Sequence, residues 1–193
     1  SSEKYFSSAI KVASVDKKTR DDFAFYDKIE HSSLYWLAVA MSHQGKYLDA
    51  VSYFERCYKD YPKGEYCAAS VYALGTIAEI NFDYDKAIEY YTLIQDDFKY
   101  SNVVVASMLR GANDALLLRQ PQLAMTYINR AETAVEHIKL QDSIGVLYEQ
   151  QLYYSNIIEN TIYLKGEAYN QIGNFDQTLK TLSDFSKNYP NSS

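Results

Sequence analysis

The chain has 193 residues, 47% of them hydrophobic, enough to bury a sizeable core as one domain or one continuous repeat array, and this excludes a disordered polypeptide. A formal charge of −6 at pH 7, with no block of lysines and arginines, argues against nucleic acid as a partner, and the apolar stretch Val103 to Leu109 is far too short to span a membrane before Arg110 ends it. Three prolines and seven glycines, set among long stretches of Leu, Ala, Glu, Lys and Gln, favour helices over a many-turned β fold.

In chain order, residues 5–15 carry the pattern of one amphipathic helix, with Phe6, Ile10 and Ala13 on one side, and 21–30 lengthens the entry into the first clear helix pair. That pair, a helix, a short polar turn and a second helix, runs from Leu34 to Pro62, and the same arrangement recurs from Val71 to Lys99. Ala50 aligns with Ala87, Tyr47 with Tyr84 and Phe54 with Tyr91, each 37 residues on; a third copy places Ala124 and Ile128 one further interval along. The fourth copy, Ile162 to Pro190, arrives 17 residues late, with Thr178 where Ala124 stood. The excess falls on 137–140, which can extend the preceding helix, and on 143–162, which reads as helical turns: a lengthened or extra helix rather than a mobile loop. The tail KNYPNSS stops where a further repeat or cap would begin, so either 143–187 supplies the cap or the polypeptide is part of something longer. The Ser1-Ser2 start is uninformative about a targeting peptide, lipid anchor or further residues upstream.

Small residues (Ala38, Gly75, Ala112, Gly166) sit within the first helices, where a partner helix approaches closely. Ala50, Ala87 and Ala124 do the same on the second helices, each followed one turn later by Phe54, Tyr91 or Ile128. An isolated pair cannot bury both of its apolar faces, whereas stacked pairs can. The pattern resembles the tetratricopeptide repeat family. The resemblance rests on Leu37, Ala38, Met41, Gly45, Tyr47, Ala50, Phe54, Cys57 and Pro62 in the first copy and on Leu74, Gly75, Ala78, Tyr84, Ala87, Tyr91 and Ile94 in the second. In the third it rests on Ala112, Ala115, Ala124, Ile128 and Ala131, and in the fourth on Gly166, Tyr169, Gly173, Phe175, Leu182 and Pro190. Thr178 for Ala, Phe82 for the turn Gly, and Pro121 within the third turn depart from the family pattern.

The resemblance implies an all-α, right-handed superhelical solenoid of antiparallel helix pairs. It would form one domain over 1–193, with an N-terminal extension at 1–30, repeats at 31–64, 68–101, 105–138 and 159–193, and a helical insertion at 139–158. The long pair interval and the Tyr-Pro that ends a pair are similar to bacterial cell-envelope assembly and Tol-Pal-associated tetratricopeptide proteins. This implies a periplasmic or envelope-anchored scaffold, with the cytoplasm as the alternative.

By the family pattern, the first helices line a concave groove that takes a partner's peptide or helix. Its contacts would be Tyr35, Val39, Ser42, Tyr72, Thr76 and Glu79, then Leu109, Asn113, Leu116, Tyr163, Glu167 and Asn170. The tyrosines at one recurring position serve either as contacts or as packing between repeats. The carboxylate clamp of chaperone adaptors is absent, because Tyr35 and Tyr72 stand where it has Lys and Val39 and Thr76 where it has Asn. Recognition would therefore be aromatic and apolar, with Glu79 and Glu167 adding a preference for basic segments and Arg110 beside Asn113 a small polar patch.

No catalytic, metal-binding or cofactor-binding constellation is expected. His31, His43 and His137 are scattered, the glycines are isolated, and no serine lies in a GxSxG elbow. The carboxylates at Asp96, Asp97, Glu149, Glu159 and Glu167 read as solvated helix surface, and Cys57 and Cys67 as buried thiols or as one disulfide between two helices. Two functions are implied: a scaffold with a protein or peptide partner, or a self-associating module whose homo-oligomer forms through exposed apolar helix ends.

Overall fold

The computed structural model describes residues 2–16, 23–98, 101, 103–141 and 148–190. Among them every regular element is a helix: α1 (Ser2–Asp16), α2 (Phe23–His43), α3 (Tyr47–Asp60), α4 (Cys67–Ile80), α5 (Tyr84–Asp97), α6 (Val104–Leu117), α7 (Pro121–Gln141), α8 (Tyr148–Ile172) and α9 (Phe175–Asn188). Two compact units result, Ser1–Ile94 and Gln95–Ser193. In the first, α1 packs on α2, α2 on α3 and α3 on α4; in the second, α6 packs on α7, α7 on α8 and α8 on α9, and α6 also meets α8. This is the all-α helix-pair fold expected from the sequence.

The hairpins α2–α3, α4–α5, α6–α7 and α8–α9 close in the same way. Gly45, Phe82, Arg119 and Gly173 take φ values of 74°, 61°, 58° and 84°, the left-handed conformation that ends a helix. The next residue then donates its N–H five residues back: Lys46 to Met41 O (3.0 Å), Asp83 to Ala78 O (2.9 Å), Gln120 to Ala115 O (2.7 Å) and Asn174 to Tyr169 O (2.9 Å). Asp83 and Asn174 also cap the following helix, accepting the N–H of Lys86 at 3.2 Å and of Gln177 at 3.3 Å. Lys46 makes no such cap, and its Nζ instead reaches Glu3 Oε1 on α1 at 2.7 Å, an exposed pair that solvent screens.

A left-handed conformation costs a side-chain-bearing residue about 1–2 kcal/mol, and the unfolded freedom of glycine returns about 0.4–1 kcal/mol of any gain from replacing it. Phe82→Gly is therefore expected to stabilise the chain by about 0.5–1 kcal/mol, read as a higher urea midpoint. An unchanged or lower midpoint would mean that the edge-on contact of Phe82 with Tyr84, 6.5 Å between centroids, outweighs the strain.

Each hairpin is filled by a small residue facing a large one. In the first unit Ala38 packs with Ala50, Phe54, Leu74 and Ile77. A Cβ at Gly75 would lie 2.5 Å from Tyr91 Cε1, and one at Gly166 2.8 Å from Leu182 Cδ2, so both glycines mark close helix approach. In α6–α7 Ala112 and Ile128 are fully buried, and beside them a Cβ at Gly111 would lie 3.0 Å from Tyr127 Cε1. Pro121 is no defect either: it is the first residue of α7, where the missing N–H would have no partner in any case.

The additional residues of the fourth interval lengthen helices. α7 has 21 residues and α8 has 25, where α3, α4, α5, α6 and α9 have 14 each. The part of the expected insertion at 142–147 lies outside the described residues. α7 and α8 are tied by Lys165 Nζ, 2.8 and 2.9 Å from the two Glu132 oxygens. Cys57 and Cys67 are free and buried, and burial pushes the Cys57 thiol up to about 12, so it is inert.

Candidate protein-interaction surface

In the first unit, Tyr35, Val39 and Ser42 occupy one stripe of α2, spaced four and three residues apart, and Tyr72, Thr76 and Glu79 repeat that spacing on α4. All six are half-buried. Tyr35 stacks on Tyr66 with centroids 4.6 Å apart and an interplanar angle of 13°, and it meets Trp36 and Phe54 edge-on. Burial raises the Tyr35 hydroxyl above its ordinary range, so it remains a neutral donor. Tyr72 lies tilted against Tyr91, centroids 5.9 Å apart. The hydroxyls of Ser42 and Thr76 donate to the carbonyls of Ala38 and Tyr72 on their own helices, and Glu79 accepts from the Tyr91 hydroxyl at 2.7 Å. The polar members of the stripe are thus largely engaged within the unit, and what faces outward is aromatic and aliphatic.

In the second unit, Leu109 on α6 is half-buried, as is Glu167 on α8; Asn113 on α6 and Tyr163 and Asn170 on α8 are exposed, Tyr163 at 57%. Glu167 accepts from Gln171 Nε2 at 3.1 Å, which weakens its expected pull on basic segments. Leu116 departs from expectation. Its side chain is 5% exposed and its carbonyl accepts from Gln171 at 3.2 Å, so it is core and not contact surface. The reason is the packing of α8 on α6, which brings Gln171 to the end of α6 and covers Leu116, while the adjacent Leu117 stays 54% exposed.

Two residues absent from the expected contact set pack beside Tyr35. Trp36, the chain's one tryptophan, is 43% exposed beside Tyr35, and Tyr66, from the turn that joins α3 to α4, meets both rings. A tryptophan following a tyrosine is visible in the sequence, but the folding of Tyr66 onto both is a tertiary contact that no local pattern encodes. Among the described residues, no group of three or more His, Cys, Asp or Glu side chains could hold a metal, and no helix is long and apolar enough to cross a membrane.

Successive helix pairs closed and packed in this way define a helical-repeat protein. The chain carries tetratricopeptide repeats: the family model for the tetratricopeptide repeat matches residues 32–64 and 161–192, the two copies whose turns hold Gly45 and Gly173. No curated protein matches the sequence. Among solved structures, a candidate kinesin light chain from Podosopora anserina with nearly identical TPR-like repeats superposes with a TM-score of 0.59 at 16% identity, covering 96% of this chain and 86% of that one. A point-substituted form of the same kinesin light chain gives 0.58 at 16% identity, covering 96% and 85%. BtubC (BKLC) from P. vanneervenii gives 0.54 at 14% identity, covering 96% and 88%. At these identities the likeness shows the fold. Repeats of this type indicate a protein–protein interaction scaffold and are generally not enzymes.

Proposed function

We propose that this scaffold binds a peptide or helix of its partner on its first-helix stripes, with Tyr35, Tyr72 and Tyr163 as aromatic anchors and Val39, Leu109 and Asn113 around them. The observation that carries the reading is the cluster of Tyr35, Trp36 and Tyr66, in which Trp36 stays 43% exposed although the unit offers it a core. Tyrosine and tryptophan in that state are the residues that dominate binding energy at interfaces. Glu79 and Glu167 contribute less than their charges suggest, since each is already a hydrogen-bond acceptor.

The test is a pull-down from lysate of the source organism with the parent chain and with a Tyr35→Ala, Tyr72→Ala, Tyr163→Ala variant, after circular dichroism shows both folded. Each anchor is expected to be worth about 2 kcal/mol, so the partner's affinity should fall more than about a hundredfold and its recovery should vanish. Equal recovery by the two proteins would refute the stripe as the binding surface.

A second reading, self-association, is favoured by α9, which has no buried residue and exposes Phe175, Leu179 and Leu182. A differently tagged second copy in the same pull-down distinguishes it. An aromatic patch at 144–164 would also favour it, but that stretch lies mostly outside the described side chains. A setting in a bacterial envelope complex is supported by the sequence alone, through the pair interval and the endings Tyr61-Pro62 and Tyr189-Pro190, and cell fractionation tests it.

A further inference from the structure

The turn joining α3 to α4, residues 61–66, closes over a histidine. His31 on α2 is 4% exposed, with its ring between Tyr61 (centroids 5.3 Å apart) and Tyr66 (5.5 Å). The backbone of Gly64 lies directly on the imidazole, since a Cβ there would overlap the ring atoms. Nε2 has no hydrogen-bond partner, and so the neutral ring fits while a second ring proton would have no acceptor. The turn over it is held by Gly64 N–H to Tyr61 O at 2.9 Å and Cys67 N–H to Gly64 O at 3.1 Å. Beyond the turn, Tyr66 leads outward, stacked on Tyr35 and edge-on to Trp36 at 5.9 Å.

Beside the ring is a cleft of about 520 Å³ whose lining includes Asp27 and Lys28 from α2 and Lys63 and Glu65 from the turn. Among the described residues, α1, although packed on α2, contributes none to that lining. From α3, the Cys57 thiol donates to the His31 carbonyl at 3.8 Å. Glu30, adjacent in sequence, is already occupied, accepting from Ser14, from Arg56 and from the Tyr61 hydroxyl. The cleft therefore offers a displaced ring both room and the Glu65 carboxylate, with two lysines at the same rim that can turn to solvent.

We propose that His31 is a proton-operated latch: protonation drives the imidazole out from beneath Gly64 toward Glu65, the 61–66 turn loosens, and Tyr66 withdraws from Tyr35 and Trp36. In the closed form, burial holds the imidazole below the ordinary histidine range, against an opposing pull from Glu65. An exposed, open-state histidine titrates near 6.5, so the closed form is fully favoured above that pH and loses ground below it, by at most about tenfold for each pH unit until the closed-form value is reached. The latch stands without any partner. Its consequence, an aromatic cluster remodelled by acid, bears on binding only through the stripe proposed above.

Trp36 provides the readout in the unmodified full chain, as its only tryptophan. Between pH 7.5 and 5, its emission is expected to shift to longer wavelength with a midpoint matching that of the His31 ring followed by NMR, while far-UV circular dichroism stays constant. His31→Gln and His31→Phe should abolish the shift, and His43→Gln should preserve it. A Trp36 response that persists without His31, a His31 titration that Trp36 does not follow, or helix lost at the same midpoint would each overturn the latch. The coincidence of the two midpoints is measured in the parent, so the decision stands even if neither His31 variant folds.

Discussion

Tyr91→Ala is expected to lower the stability of the first unit by about 3–5 kcal/mol, the range for deleting a large buried aromatic side chain. Tyr91 is wholly buried, its ring lies against Gly75 and beside Tyr72, and its hydroxyl donates to Glu79 at 2.7 Å. Truncation would leave a cavity between two helices that already approach as closely as a glycine allows, so little collapse can fill it. Tyr91→Phe removes only the bond to a carboxylate and should cost about 1.5–3 kcal/mol. Urea titration followed by Trp36 emission isolates the first unit. A loss for Tyr91→Ala below about 1.5 kcal/mol, with an unchanged slope, would show that the site repacks and that this ring does not hold the hairpin together.

Gly75→Ala should destabilise by about 2 kcal/mol, although alanine is the better helix former by about 1 kcal/mol. The new methyl group would sit 2.5 Å from Tyr91 Cε1 and 2.8 Å from Cζ, and the ring cannot retreat without breaking its bond to Glu79. Gly111→Ala is the internal comparison. There the nearest atom, Tyr127 Cε1, is 3.0 Å away, and the helical gain should roughly cancel the strain. In a Tyr91→Ala background, Gly75→Ala should instead stabilise by about 1 kcal/mol, because nothing remains for the methyl group to meet. Additive single effects would refute the close contact as the cause.

Much of this fold was legible in the sequence because it is local. The recurrence of Ala50 at Ala87 and Ala124 gave the interval, and the small and large residues around it located the hairpins now seen as α2–α3, α4–α5, α6–α7 and α8–α9. The departures arise where packing detail outweighs pattern. Gly111 and Ala112 are both small, and the closeness of Gly111 to Tyr127 is not written in the repeat interval, which points to Ala112. Pro121 reads as a break until the first turn of α7 is known to begin on it. In the candidate surface the stripe spacing was readable, but Leu116 turns inward at the end of its helix, and the burial of His31 and the approach of Tyr66 to Trp36 depend on a six-residue turn whose course no periodicity records.

The shared closure at Gly45, Phe82, Arg119 and Gly173 has a further consequence. Within each hairpin the left-handed residue stands seven positions after Ala38, Gly75, Ala112 or Gly166 and five before Ala50, Ala87, Ala124 or Thr178. One residue more or fewer between those landmarks would rotate the second helix by about 100° and swing its apolar face off the core. Side-chain identity at the corner can drift as far as Phe and Arg, but chain length there cannot. The extra residues before the fourth hairpin accordingly sit between hairpins, in α7 and α8, where a helix can grow by whole turns without disturbing phase. Each hairpin corner is in effect a cassette of fixed length, exchangeable as a block, with the outer ends of the helices left free to vary in evolution or in engineering.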